Sequence, residues 1–304
     1  MNGILFIGDL LLNTSAPGRR IDDDFLSAVL NKLQFSLDLC KEKNLVPVIV
    51  GQAFYKTFDA KVLTEVIPLL KGANAYFLPS LVDSDPKLNP GELIKKSNLG
   101  ILSLTDTVNV IDSENPLIVN INGKTCGLYY SNNGKAFEKS CESNDVNILL
   151  LRHTGCDDLE LVNTISDFSD INLVVNAGTR HESNEINANN LIWKNLGPSV
   201  RVHLESEENS PKVFEWNPID SFKEYILPHN KFIMNHDVRA KNIEDQNLIQ
   251  SDFAQMMKEE MIRLEQENDS DLIETELTEI LVKKGSSSMI REQINLLQKE
   301  VEIT

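Results

Sequence analysis

The sequence predicts an α/β protein in which two layers of sheet carry helices on their outsides, followed by a helical C-terminal appendage. Three observations predict it. Short apolar runs recur and stop at a glycine or a polar loop (ILFI at 4–7, PVIV at 47–50, VNILLL at 146–151, INLVV at 171–175), and helical apolar spacing fills the interval between the first two. The dipeptide Asn122-Gly123 separates two β-favouring runs, the strongest short hairpin signal in the chain. From about residue 221 glycine nearly vanishes, Asn, Glu, Gln and Lys dominate, and the apolar residues fall at helical spacing.

Taken in order, the run at 4–7 is a strand broken by Gly8-Asp9. A loop through Pro17 and Arg20 leads to a helix over 23–41, with Asp22 or Asp23 as its cap, and the strand at 47–50 ends at Gly51. This is a βαβ unit. Loops at the carboxyl ends of its parallel strands converge, so Asp9 and Gln52 should face one cleft. A helix over 60–70, a short strand at 75–78 and a short helix over 91–98 follow. Strands at 108–111, 117–121 and 124–130 come next, the last two forming the hairpin. The strand at 146–151 runs into Arg152-His153, a helix covers 157–166, and the strand at 171–175 ends in a polar loop over 176–183. Residues 191–193 and 200–204 alternate as an antiparallel pair around a turn at 195–198, and 213–216 closes the β-rich part. Domain boundaries follow: residues 1–220 form the sheet domain and 221–304 the appendage, with helices over 252–266, 272–283 and 289–301.

Composition excludes several function classes. The chain has 304 residues, and Lys+Arg 29 against Asp+Glu 46 leaves a formal charge of -17. Such a field repels phosphate at long range, so direct, sequence-independent grip on nucleic acid is disfavoured and contact would be indirect. Cys40, Cys126, Cys141 and Cys156 form no CxxC pair and read as reduced thiols. The first apolar run is too short for a signal sequence, and no stretch reaches the roughly 18 apolar residues that cross a bilayer. A soluble cytoplasmic protein without a membrane partner is expected.

Five loops follow strands in the order Asp9, Gln52, Ser80 to Asp83, His153 and Gly178 to His181, carried by GDLLL at 8–12, VGQ at 50–52, PSLVD at 79–83, LLLRHTG at 149–155 and AGTRH at 177–181. That order resembles the calcineurin-like metallophosphoesterase superfamily, whose motifs are Asp-x-His, Gly-Asp, Gly-Asn-His-Asp, a lone His after a strand, and Gly-His-x-His. PGRRIDDDF at 17–25 and the stretch 191–218 are similar to a bacterial and phage branch related to the nuclease subunits of DNA-repair exonucleases. The likeness spans roughly residues 1–220. It implies a four-layer α/β/β/α metallophosphoesterase-like sandwich, with two divalent cations such as manganese in an active member.

Matched residue by residue, the resemblance implies that Asp9, His153 and His181 keep metal-ligand positions. Leu11 stands for the first His, Gln52 for the bridging Asp, Leu81 and Val82 for Asn and His, and Thr179 for the next His. A carboxamide supplies no charge to offset repulsion between two dications, and leucine or valine puts apolar surface where a hydrated ion belongs. No cofactor is therefore expected. Asp83 and His153 remain catalytic candidates, and Arg152 with Arg180 could form an anion pocket. Each also has a plainer reading: Asp9 as a turn cap, the histidines as hydrogen-bonded remnants, the arginines as solvated side chains.

These readings combine as a degenerate, catalytically inactive phosphoesterase kept as an interaction or scaffold subunit, with phage nucleic-acid metabolism the setting that the resemblance suggests. Its partner would be another protein or a second copy, engaged through the C-terminal helices. The alternative is a metal-dependent phosphoesterase or nuclease with an altered or mononuclear site at Asp9, His153 and His181, with Asp83 as a replacement ligand. A third is a metal-free phosphate or nucleotide sensor using Arg152 and Arg180.

Overall fold

A computed structural model of the chain describes residues 1–17, 20–80, 82–83, 94–111, 116–131, 144–152, 170–178, 182–188, 191–203, 206–220, 222–231 and 234. The first sheet is built from β1 (Gly3–Gly8), β2 (Leu45–Val50), β3 (Tyr76–Phe77) and β4 (Asn109–Val110), all parallel. Helices α1 (Phe25–Lys43), α2 (Ala60–Leu70) and α3 (Asn98–Leu104) intervene between them. The second sheet begins with the hairpin of β5 (Leu117–Ile121) and β6 (Lys124–Tyr130). It continues parallel through β7 (Val146–Arg152), β8 (Leu173–Ala177) and β10 (Leu191–Asn195), with β9 (Asn184–Ala188) antiparallel on its far edge. The chain then returns to the first sheet, where β11 (Lys212–Trp216) pairs antiparallel with β1, and β12 (Lys223–Ile226) pairs with β11. The orders are β12-β11-β1-β2-β3-β4 and β5-β6-β7-β8-β10-β9.

Burial on both faces explains why β1 and β2 are continuous apolar runs. Side chains alternate along β1, so Leu5 and Ile7 pack under the helices with Val29, Leu33 and Val62, while Ile4 and Phe6 enter the layer between the sheets. There they meet Leu128, Ile148, Leu150 and Val175 from the second sheet. Each such side chain contributes about 1.5–3 kcal/mol by leaving water. A third cluster, around Tyr129, Leu149, Val174 and Trp193, covers the outer face of the second sheet. The helix expected there over 157–166 lies outside the described residues.

Helix α1 buries the stripe Phe25, Val29, Leu33 and Leu37, four residues apart on one face. Its cap is Asp24, not Asp22 or Asp23: Asp24 Oδ1 accepts from Ser27 N at 3.1 Å. Asp22 is already held by Arg20, whose Nε and Nη2 donate to it at 2.6 and 2.7 Å. The hairpin turn is as expected, with Asn122 and Gly123 at φ 51° and 84°.

Three elements differ from expectation. Of the helix expected over 91–98, residues 91–93 lie outside the described residues and 94–97 are not helical; the helix is α3, because Ser97 Oγ accepts from Gly100 N at 2.9 Å and so starts it one residue after itself. Residues 200–203 are not the strand partner of β10. Val200 and Val202 pack into the core beneath the helices, and β10 pairs instead with β9, a polar segment that follows the expected loop over 176–183 and was assigned no element. The first sheet also extends past residue 220, since β12 alternates against β11 with Val213 opposite Tyr225. The remainder of the expected appendage, 235–304, lies outside the described residues. Within the described residues the architecture is two six-stranded sheets that share an apolar layer, and no helix is long and apolar enough to cross a membrane.

Candidate functional site

Parallel strands end side by side, so the carboxyl ends of β1 and β2 in one sheet and of β7 and β8 in the other bring their following residues to one place. Asp9 is the point where they meet. Its side chain reaches both sheets: Oδ1 accepts from Gln52 N at 2.7 Å, and Oδ2 accepts from Gly178 N at 2.6 Å. Asp9 is 5% exposed. Burial pushes its carboxyl above the ordinary range, against the pull of the Gln52 amide, the Arg152 guanidinium and the Gly178 amide.

Arg152, the last residue of β7, supplies the charge opposite Asp9. Its Nε lies 3.6 Å from Asp9 Oδ1. Its Nη2 donates to Gln52 Oε1 at 3.1 Å, while Gln52 Nε2 donates to Phe54 O at 2.9 Å. The approach is close enough to exclude a side chain at position 51. Gly51 has φ +89°, and a Cβ there would stand 2.5 Å from Asp9 Oδ1 and 2.7 Å from Ala177 Cβ. The loops after β1 and β2 are further stitched by Leu11 N to Gln52 O at 3.1 Å and Leu12 N to Ala53 O at 2.8 Å. Leu11 holds the left-handed conformation, φ 51°, that a side chain with a Cβ seldom adopts.

Asp83 occupies a separate corner. It is fully buried, its Oδ2 accepts from Ser80 Oγ at 2.6 Å and Ser80 N at 3.1 Å, and its Oδ1 has no hydrogen-bond partner among the described residues. Burial raises its carboxyl to about 6 despite the Ser80 bonds. Tyr130 lies between this corner and Arg152: its hydroxyl donates to Pro79 O at 2.9 Å. Burial and then the Asp83 carboxylate push that hydroxyl up, and Arg152 opposes them.

Of the sequence-derived candidates, Asp9, Gln52 and Arg152 come together as one hydrogen-bonded cluster, and Asp83 stands apart against Ser80. His153, Arg180 and His181 lie outside the described residues, as do Leu81 and Thr179. The main-chain donors of Gln52 and Gly178 and the hydroxyl of Tyr130 were not anticipated. Gly178, a glycine directly after a strand, was the one available signal. Among the described residues no three of His, Cys, Asp or Glu are grouped to hold a metal ion. Those residues do not fit a dinuclear centre: Asp9 is the lone carboxylate of the cluster, both its oxygens accept main-chain N–H groups, and a guanidinium that would repel a cation faces it.

No protein-family model matches the sequence, and no curated protein matches it. Solved structures do. An archaeal phosphodiesterase is similar at 11% identity over 74% of this chain and 99% of that one, with a TM-score of 0.39. A protein of Thermus thermophilus is similar at 13% identity over 75% and 99%, TM-score 0.44. A Staphylococcus aureus protein described as a 5′-nucleotidase, solved with α-ketoglutarate, is similar at 10% identity over 80% of this chain and 58% of that one, TM-score 0.41.

Proposed function

We propose that this chain is a degenerate, catalytically inactive member of the calcineurin-like phosphoesterases, of their bacterial and phage branch, retained as an interaction or scaffold subunit. A single observation carries the reading: the carboxylate of Asp9 is already satisfied by the amides of Gln52 and Gly178, and its counter-charge is the guanidinium of Arg152. In an active member, divalent ions would supply water activation and neutralise charge building on the phosphoryl group. Leu11 and Gln52 offer none of the anionic or imidazole donors those ions need.

The partner in this reading is a protein or a second copy, engaged by the C-terminal helices expected over 252–301, and nucleic acid is reached only through it because the chain carries a charge of -17. The cytoplasm is the proposed compartment. Hydrolysis of a chromogenic phosphodiester with manganese supplied tests the reading. No turnover above that of Asp9→Asn is expected, whereas turnover that Asp9→Asn abolishes would establish the competing hydrolase. The scaffold role is tested by isolating the full chain from its host. It should arrive with a stoichiometric partner, and a lone monomer under all conditions would refute it.

A further inference from the structure

A carboxylate 5% exposed needs a compensating charge close by, because an unpaired buried ion is strongly disfavoured. At this end of the sandwich, the resemblance to metallophosphoesterases assigns that charge to divalent cations, which the described residues do not fit. We infer that Arg152 is a tethered replacement for the metal: from the end of β7 its guanidinium supplies the positive charge that holds Asp9, and through Asp9 the loops after β1, β2 and β8. This rests on the reading of the site as inactive and adds what has taken the ion's place.

Register puts the guanidinium where it is needed. Side chains alternate along β7, and Ile148 and Leu150 fill the layer between the sheets, so Arg152 continues the same face to the end of that layer, opposite Asp9. Charge, more than hydrogen bonding, is what Arg152 gives Asp9. Among the described residues the Nε is buried without a hydrogen-bond partner and stands 3.6 Å from Oδ1, while the hydrogen bonds to Asp9 come from main-chain amides. Gln52 fits the same arrangement. At the position assigned to a bridging carboxylate, its carboxamide turns its oxygen to Arg152 and its nitrogen to Phe54 O. One guanidinium then balances one carboxylate, whereas a pair of dications needs several.

The experiment uses the full chain as wild type, Arg152→Lys, Arg152→Met, Arg152→Ala and the double variant Asp9→Asn/Arg152→Ala. Melting temperature is read in chelator, in manganese chloride and in ethylguanidinium chloride at matched ionic strength. Wild type should melt at one temperature in all three. Arg152→Met should melt roughly 5–10 °C lower, Arg152→Lys should recover most of that loss, and Arg152→Ala should regain part of it with either added cation. The double variant should not respond to cations. An Arg152→Met variant as stable as wild type would overturn the inference, and so would an Arg152→Ala variant that ignores both cations or responds equally without Asp9. Phosphodiester hydrolysis by wild type would instead remove the inactive reading and leave these melting temperatures to be explained separately.

Discussion

Replacing Gly51 with alanine tests whether the loops of the two sheets really close on Asp9. Two penalties act at that position. The backbone is at φ +89°, and the left-handed region costs an L-residue about 1–2 kcal/mol. The new Cβ would also stand 2.5 Å from Asp9 Oδ1 and 2.7 Å from Ala177 Cβ, distances that something must yield to relieve. Overpacking of that kind costs about 1–3 kcal/mol. Together they predict a loss of about 3 kcal/mol. Gly72 is the internal control, because its φ is +80° and nothing lies within 4 Å of its Cβ position. Gly72→Ala should therefore lose only the backbone part, about 1 kcal/mol. Urea denaturation of the three proteins measures both, and a shift in midpoint at constant m-value isolates stability. Equal losses at the two glycines, or a Gly51→Ala midpoint indistinguishable from wild type, would refute the close approach of Ala177 and Asp9.

Other outcomes follow from the same structure. Lys32 is buried with its Nζ donating to Ser199 O at 2.6 Å, and burial, with Arg20 and Arg201 nearby, lowers its ammonium to about 7. The unfolded chain then holds this proton up to its ordinary range while the folded chain releases it, so stability rises with pH from 7 toward 10. Wild type should gain about 2 kcal/mol between pH 7 and 9 relative to Lys32→Met, measured by chemical denaturation, and parallel pH profiles would contradict it. Asp59 caps α2, with Oδ1 accepting from Lys61 N and Val62 N at 3.1 and 3.3 Å, and Oδ2 accepting from Thr14 Oγ1 at 2.8 Å. Asp59→Ala should cost about 1–2 kcal/mol in the same assay, and a neutral result would deny the cap its role. Tyr130→Phe leaves Pro79 O without its donor, for a loss of about 1–2 kcal/mol that an unchanged midpoint would exclude.

What the sequence made legible was what its apolar pattern states directly. The runs ending at Gly8 and Gly51 are buried on both faces and need no tertiary knowledge to be read as parallel strands, and their βαβ geometry already placed Asp9 and Gln52 in one cleft. By contrast β9, with the sequence NEINA, is a polar segment whose strand character comes from pairing with β10. Val200 and Val202 alternate like a strand yet serve the core beneath the helices. At the site, Arg152 reads as a loop cation free to meet an anion. Only the facing of the two sheets reveals Asp9 and Gln52 opposite it. The amide of Gly178 is invisible for a different reason: a main-chain donor leaves no mark in residue type.

The most direct test of the account is anomalous diffraction at the manganese edge from crystals of the full chain soaked in manganese chloride. The account predicts planar guanidinium density for Arg152 beside Asp9 and no anomalous peak within bonding distance of the Asp9 carboxylate. A strong peak bonded to Asp9, with the arginine displaced, would contradict it.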